Sequence, residues 1–229
     1  MTVTLDHIKS IDAFTALNEV TLIELLKIAT LKKLKKNEVL YRNKDQIGYV
    51  YAVIYGKMAL LRYCANGQKR VFFILTEGSL INEVVFDDLP VSVDCECFEE
   101  ALIIKFPKTE MLELMKKDFD LTLQILNSSA RKQRRLFRQL KNTVQTKIDK
   151  KLAAKLWKLT KDHGRNTEEA SWKEIDLNIN ITYLSYLLGV PRESISRAMS
   201  ELIDKGYVKW REKTLLVNEN EILEYYRKV

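Results

Sequence analysis

The spacing of apolar positions changes along the chain, and each change predicts an element. From Thr21 to Thr30, Leu22, Leu25, Leu26 and Ala29 share one face, the pattern of a short helix. Val50 to Ile54 is rich in β-branched and aromatic residues, and Gly56 closes the run. Met58 to Tyr63 and Arg70 to Leu75 flank Asn66-Gly67, a pair whose tolerance of positive φ marks a tight hairpin. Gly78, Asp87-Asp88, Pro90 and Pro107 punctuate further short runs, Val91 to Phe98 and Ala101 to Phe106. Short strands with turn signals at this spacing predict a β-roll or barrel of about 100 residues.

From Lys108 the period becomes helical. Leu123, Ala130, Phe137 and Val144 take the a positions of a heptad, and Phe119, Leu126, Gln133 and Leu140 the d positions. Arg131, Lys132, Arg134, Arg135, Arg138 and Lys141 all avoid that seam. A seam of Leu123, Leu126, Ala130, Gln133, Phe137 and Leu140 predicts a homodimer through paired helices, with Gln133 setting register at some cost in stability. The alternative is a single amphipathic helix packed on its own domain. Lys147 to His163 reads as another helix that Gly164 can cap; Arg165 to Ser171 reads as a polar loop and Trp172 to Asn178 as a short strand.

The segment from Ile181 to Val208 is the most informative. Leu184, Leu187 and Leu188 mark the buried face of a short helix that Thr182 can cap. Gly189-Val190-Pro191 makes a turn, with proline suited to the first position of the next helix. Ile195, Ala198, Met199, Leu202 and Ile203 form the inner face of that second helix, which ends at Lys205-Gly206. Two helices joined by a three-residue turn containing glycine fit a helix-turn-helix. The outer face of the second helix bears Arg192, Glu193, Ser196, Arg197 and Ser200. Arginine can bond guanine bidentately, glutamate can accept from cytosine N4, and serine suits either kind of base edge. The competing reading is an exposed salt-bridged face, with Glu193 paired to Arg197. Tyr207 to Trp210 and Thr214 to Val217 then read as a β-hairpin wing, whose Arg211-Glu212-Lys213 tip can touch phosphate through Lys213.

Charge sharpens this division. Of the 229 residues 46% are apolar and 30% charged, and the formal net charge is +7. Residues 1–130 hold 16 basic and 18 acidic side chains, whereas residues 131–229 hold 22 and 13. The second part is therefore the candidate for a polyanion. Arg131 to Arg165 alone carries 13 basic and 2 acidic side chains, for phosphate attraction or simple solubility. Aromatic content and the lack of low-complexity runs exclude disorder. The longest uncharged stretch, Leu177 to Pro191, is too short to span a bilayer, and Asp6, Lys9 and Asp12 interrupt any secretory signal. Three cysteines fit a reducing compartment, so a soluble cytoplasmic protein without a membrane partner is expected.

Candidate chemistry is sparse. No glycine-rich phosphate loop, metal-ligand cluster or nucleophile–base pair points to an enzyme. Cys64, Cys95 and Cys97 lie in the predicted β-roll; Cys95 and Cys97 point to one side of a strand, as buried structural thiols or as a pair able to oxidise or bind metal. His7 reads as an ordinary surface residue, and His163 as a favourable partner of a helix carboxy-terminus.

The string Val190-Pro-Arg-Glu-Ser-Ile-Ser-Arg197, followed by Leu202 and Gly206-Tyr-Val208, resembles the recognition helix of Crp/Fnr-type bacterial transcription regulators. Gly56-Lys57, Asn66-Gly67, Gly78, Glu83 and Ala101 to Pro107 resemble the spaced glycines of that family's β-roll sensor, and the heptad helix its dimerisation helix. The resemblance implies an α+β fold: an N-terminal β-roll like a cyclic-nucleotide-binding jelly roll (1–118), a long dimerisation helix (119–145) and a C-terminal winged helix-turn-helix (146–229). It implies a homodimer on double-stranded DNA, with RNA polymerase as a further partner. Arg192, Glu193 and Arg197 match the family's base-reading pattern and Ser196 the serine of its Fnr-like branch. Arg197 is thus expected to read a guanine and Glu193 the cytosine of a G·C pair in a TGA-containing half-site.

The sensor departs from the pattern. Cyclic-nucleotide-binding relatives place an Arg-Ser or Arg-Thr pair about ten residues after the glutamate that Glu83 resembles, where this chain has Val93-Asp94. Their Thr-Ser pair on the dimer helix corresponds to the apolar Leu136-Phe137. Cyclic AMP is therefore not the expected effector. Glu83, Val93, Asp94, Leu136 and Phe137 outline the pocket expected for an unidentified small molecule, one with apolar or aromatic character; a regulator without a ligand is the alternative. No metal or cofactor is assigned. A β-roll sensory module of a signalling assembly, without DNA binding, is the competing function.

Overall fold

The computed structural model describes residues 2–63, 69–82, 85–143 and 147–227, which form two compact units, 1–135 and 136–229. The first unit opens with α1 (Leu5–Lys9) and α2 (Glu19–Ile28). Strands follow: β1 (Thr30–Leu34), β2 (Val39–Tyr41), β3 (Tyr49–Tyr63), β4 (Lys69–Leu75) and β5 (Asp94–Pro107). They pair antiparallel in the order β1-β5-β3-β4, with β2 also on β5. A helical pair closes the unit, α3 (Lys108–Lys117) and α4 (Phe119–Thr143), and the boundary between units falls within α4.

Two strands carry most of this sheet, and both are longer than the sequence pattern implies. The runs Val50 to Ile54 and Met58 to Tyr63 are one 15-residue strand. Gly56 bends it at φ 82° instead of ending it, beside register shifts against β5. A Cβ at Gly56 would stand 2.0 Å from the Glu100 carbonyl oxygen, so the bend admits only glycine. The runs Val91 to Phe98 and Ala101 to Phe106 likewise merge into the 14-residue β5, with Val91 to Val93 outside it.

Alternation along these strands feeds two cores. Val50, Ala52, Ile54, Ile104 and Phe106 meet Ile8, Leu25, Met111, Leu121 and Ile125 from the helices and Phe14 from the turn between α1 and α2. Tyr51, Val53, Met58, Leu60, Cys95, Cys97 and Ile103 face the interior of the roll with Phe73 and Leu75. Burial on both faces explains why the strands read as nearly continuous apolar runs. The Asn66-Gly67 hairpin and Cys64 lie outside the described residues.

Helix boundaries shift where a cap decides them. Asn18 accepts the Thr21 amide at 2.9 Å and starts α2 at Glu19, while Thr30 belongs to β1. Asp118 starts α4: one carboxylate oxygen accepts the amides of Asp120 (2.8 Å) and Leu121 (3.2 Å). The other oxygen accepts the Thr21 hydroxyl and the Asn18 amide nitrogen (3.2 Å), tying α4 to α2. These donors, the Thr21 hydroxyl foremost, hold its carboxyl below the usual carboxylate range.

The second unit holds α5 (Ile148–His163), β6 (Gly164–Asn166), β7 (Trp172–Ile175), α6 (Ile181–Leu188), α7 (Arg192–Asp204), β8 (Val208–Arg211), β9 (Thr214–Asn218) and α8 (Glu219–Arg227). Its sheet runs β6-β7-β9-β8. Gly164 does not cap α5 in a left-handed turn; it opens β6 at φ −86°, so the polar loop is shorter than its composition suggests. Leu152, Leu156, Leu184, Leu187, Ile195, Met199, Leu202, Leu215, Val217 and Ile222 are all buried. Among the described residues no helix is long and apolar enough to cross a membrane.

Candidate nucleic-acid interface

The helix pair α6–α7 is built by local chemistry. Asn180, not Thr182, caps α6: its side chain accepts the Tyr183 amide at 2.9 Å, and Thr182 lies inside the helix. Gly189 ends α6 in the left-handed region (φ 66°, ψ 40°), and its amide bonds the Ser185 carbonyl at 2.7 Å. Pro191 occupies the cap position at φ −55°, one residue before the helix proper, and α7 begins at Arg192. Ile195, Ala198, Met199 and Leu202 bury one side of α7, whereas Ile203 is 37% exposed at its edge.

The opposite side of α7 is the expected reading face. Arg192, Glu193, Ser196, Arg197 and Ser200 are all exposed. Among the described residues, Arg192, Glu193 and Arg197 make no hydrogen bond or ion pair, so the salt-bridged face is not formed. Ser200 donates to the Ser196 carbonyl at 3.2 Å, which leaves its lone pairs outward.

The wing divides its cations. Arg211 pairs with Glu174 at 2.8 Å from within β8, and Lys209 donates to both oxygens of Glu169 (2.9 and 3.0 Å) over the Trp172 ring. The turn itself is Glu212-Lys213, with Glu212 at φ 56°. Lys213 is exposed and without a partner among the described residues. The basic stretch leading into this unit is also partly committed: Lys158 pairs with Asp162 (2.6 Å), Lys161 with Glu219 and Arg165 with Asp176 (2.7 Å). These pairings lower what it can offer to phosphate.

The seam of α4 stays open. Leu121 and Ile125 are buried, and beyond them Lys132 donates to the Leu80 and Ile81 carbonyls (2.7 and 3.1 Å) while Arg135 lies over Phe73. Within the first unit that face packs on the roll, so Leu123, Leu126 and Gln133 are exposed and Ala130 half-buried; in the second unit Phe137 and Leu140 are exposed as well. Leu126, Phe137 and Leu140 each keep about 60% of their surface, and Phe119 keeps 74%. Val144 lies outside the described residues. The packing face could not be read from a cation, since nothing in the sequence marks Lys132 as a donor to β-roll carbonyls.

Of the expected effector residues, Glu83 lies outside the described residues. Val93 packs on the roll interior, and Asp94 is buried with its carboxylate on the Asn43 amide at 3.2 Å. Leu136 and Phe137 are exposed in the second unit. Cys95 and Cys97 are buried free thiols; Cys97 donates to the Glu99 carbonyl at 2.8 Å. Burial pushes the Cys97 thiol up to about 11, and pushes Cys95 up further. No group of His, Cys, Asp and Glu among the described residues is arranged to hold a metal. A groove of about 550 Å³ lies elsewhere, between α2 and the α3–α4 corner, lined by Asn18, Val20, Leu114, Asp118 and Phe119 among others.

Two family models match this chain: a cyclic nucleotide-binding domain over residues 31–118 and a Crp-like helix-turn-helix domain over residues 150–225. Over 175 residues the chain is 21% identical to the CRP-like cAMP-activated global transcriptional regulator of Mycobacterium tuberculosis, covering 76% of this chain and 77% of that protein. Its fold is similar to FixK2 from Bradyrhizobium japonicum, with a TM-score of 0.74 at 16% identity over 86% of this chain and 96% of that one. It is also similar to a CooA mutant from Carboxydothermus hydrogenoformans, with a TM-score of 0.75 at 14% identity over 92% and 91%.

Proposed function

The chain belongs to the Crp/Fnr family of transcription regulators, and from that premise we propose that it reads a two-fold symmetric operator as a homodimer. The family is not enzymatic, and the chain is a DNA-binding regulator with an effector-binding domain. That removes the reading as a sensory module without DNA binding.

One observation carries the proposal: the exposed face of α7 presents Arg192, Glu193 and Arg197 with no intramolecular partner among the described residues. Arg197 reads a guanine, Glu193 the cytosine of a G·C pair, and Ser196 and Ser200 adjust to neighbouring edges in a TGA-containing half-site. Lys213 contacts phosphate, which positions the reader without choosing sequence. The open apolar seam from Leu123 to Leu140 on α4 supports the dimer, because a helix already packed through Leu121 and Ile125 has no need of it. Bound to DNA, the dimer works with RNA polymerase in the cytoplasm.

The effector is not cyclic AMP, although the Mycobacterium tuberculosis relative is named for it. At the place of the phosphate-binding pair, Val93 is apolar and Asp94 is an anion engaged with the Asn43 amide. A small molecule with apolar or aromatic character suits Val93 on the roll interior better.

A mobility-shift titration with excess non-specific competitor, run beside sedimentation, tests the reading. A dimer retained on a symmetric TGA-containing duplex supports it. A monomer, or complete loss to competitor, contradicts it. Cyclic AMP should leave the thermal midpoint unchanged.

A further inference from the structure

Tyr225 on α8 joins both ends of a frame inside the second unit. Its hydroxyl donates to Asp149 Oδ2 at 2.5 Å, in the first turn of α5, and accepts from Lys205 Nζ at 2.9 Å. Lys205 caps the carboxy-terminal end of α7 and pairs there with Glu201. Two ammonium groups lie over the ring, Lys150 at 3.8 Å from its centroid and Lys205 at 4.4 Å. Lys150 also donates to the Tyr225 carbonyl, and the Tyr207 ring stands 5.2 Å away. One side chain thus ties the start of α5, the end of α7 and the residue preceding β8. Burial, reinforced by Asp149, pushes the hydroxyl up to about 12, so it keeps its proton at neutral pH.

The geometry matters because α7 is a rod with Arg192 and Glu193 at its other end and Arg197 midway along it. Over a helix roughly 20 Å long, a tilt of about 3° moves the far end by roughly 1 Å. Bidentate base contacts tolerate only about 0.5 Å and 10–20°. Apolar packing through Ile195, Ala198, Met199 and Leu202 holds α7 in place but has no directional preference. The Lys205–Tyr225–Asp149 bonds supply direction.

We propose that Tyr225 is a positioning residue for base reading: it locks the carboxy-terminal end of α7 to α5 and so fixes the approach of Arg192, Glu193 and Arg197. The inference rests on α7 being the DNA reader. Tyr225→Phe keeps the ring that both lysines approach and removes only the hydroxyl. The test measures, well below the thermal midpoint, the affinity of the full chain for two duplexes. One is the duplex that the unaltered protein selects from random DNA, and the other is a scrambled duplex of equal length.

Tyr225→Phe should bind the selected duplex roughly three- to tenfold more weakly and the scrambled one equally well. Asp149→Asn keeps an acceptor for the hydroxyl and should hold the ratio near that of the unaltered protein. An unchanged ratio in Tyr225→Phe, whatever its midpoint does, overturns the role of Tyr225 alone. Failure of the unaltered protein to select any common sequence overturns the DNA-reading role and this inference together.

Discussion

Glu193 and Arg197 stand one helical turn apart on α7, and neither pairs with the other or with any described residue. An exposed Glu–Arg pair at this spacing is worth only about 0.2–0.5 kcal/mol, so leaving it open costs little. Held apart, the two side chains keep their donors and acceptors for a partner.

Lys213 should act differently from this pair. Lys213→Ala is expected to weaken binding to all duplexes alike and to reduce the slope of log affinity against log salt by about 1. Anisotropy titrations at several salt concentrations check it; an altered base preference would contradict the phosphate role.

The seam of α4 predicts an oligomeric state. Leu126→Glu or Phe137→Glu places charge between paired helices and should yield monomers in sedimentation at micromolar concentration. Gln133→Leu should instead strengthen the dimer, since a polar d position costs stability. Unchanged dimers in both glutamate variants would show that another surface pairs the chains.

Asp118 predicts an acid-dependent stability. Its carboxylate accepts two amides at the start of α4, so Asp118→Ala should cost roughly 1 kcal/mol at neutral pH. Its folded pKa is depressed, so the stabilisation is present above the ordinary carboxylate value and is lost as pH falls through the lower folded value. Thermal midpoints of the two proteins should therefore converge in acid, and a gap that widens would contradict this.

Cys95 and Cys97 should resist alkylation. Both are buried in the roll, and burial raises both thiols, so little nucleophilic thiolate forms at neutral pH. Iodoacetamide followed by peptide mass spectrometry should find them unmodified in the native protein and fully modified in denaturant. Rapid native labelling would revive the reading of an oxidisable pair.

How much of this was legible in the sequence depends on the range of the interactions involved. The helix-turn-helix was legible because Gly189, the apolar spacing of α7 and the polar residues between act within a few residues of each other. The exposed apolar stripe of α4 follows a heptad spacing that is equally local. Gly56 misled, because its role is set by the Glu100 carbonyl across the sheet and not by its neighbours in the chain. Asn180 displaced Thr182 as a cap through a shift of two residues in the helix start. Only pairing in three dimensions distinguishes Arg211, spent on Glu174, from Lys213 two residues later. Tyr225 was invisible for a stronger reason: Asp149 lies 76 positions away in the chain.

Selection from random DNA, run in parallel on the unaltered protein and on Arg197→Ala, tests base reading by α7 most directly. The unaltered protein should return a two-fold symmetric site with TGA-containing half-sites. Arg197→Ala should lose preference at one guanine per half-site, about 1–3 kcal/mol of discrimination, and keep the rest. An asymmetric or absent consensus, or the same consensus from both proteins, would contradict the account.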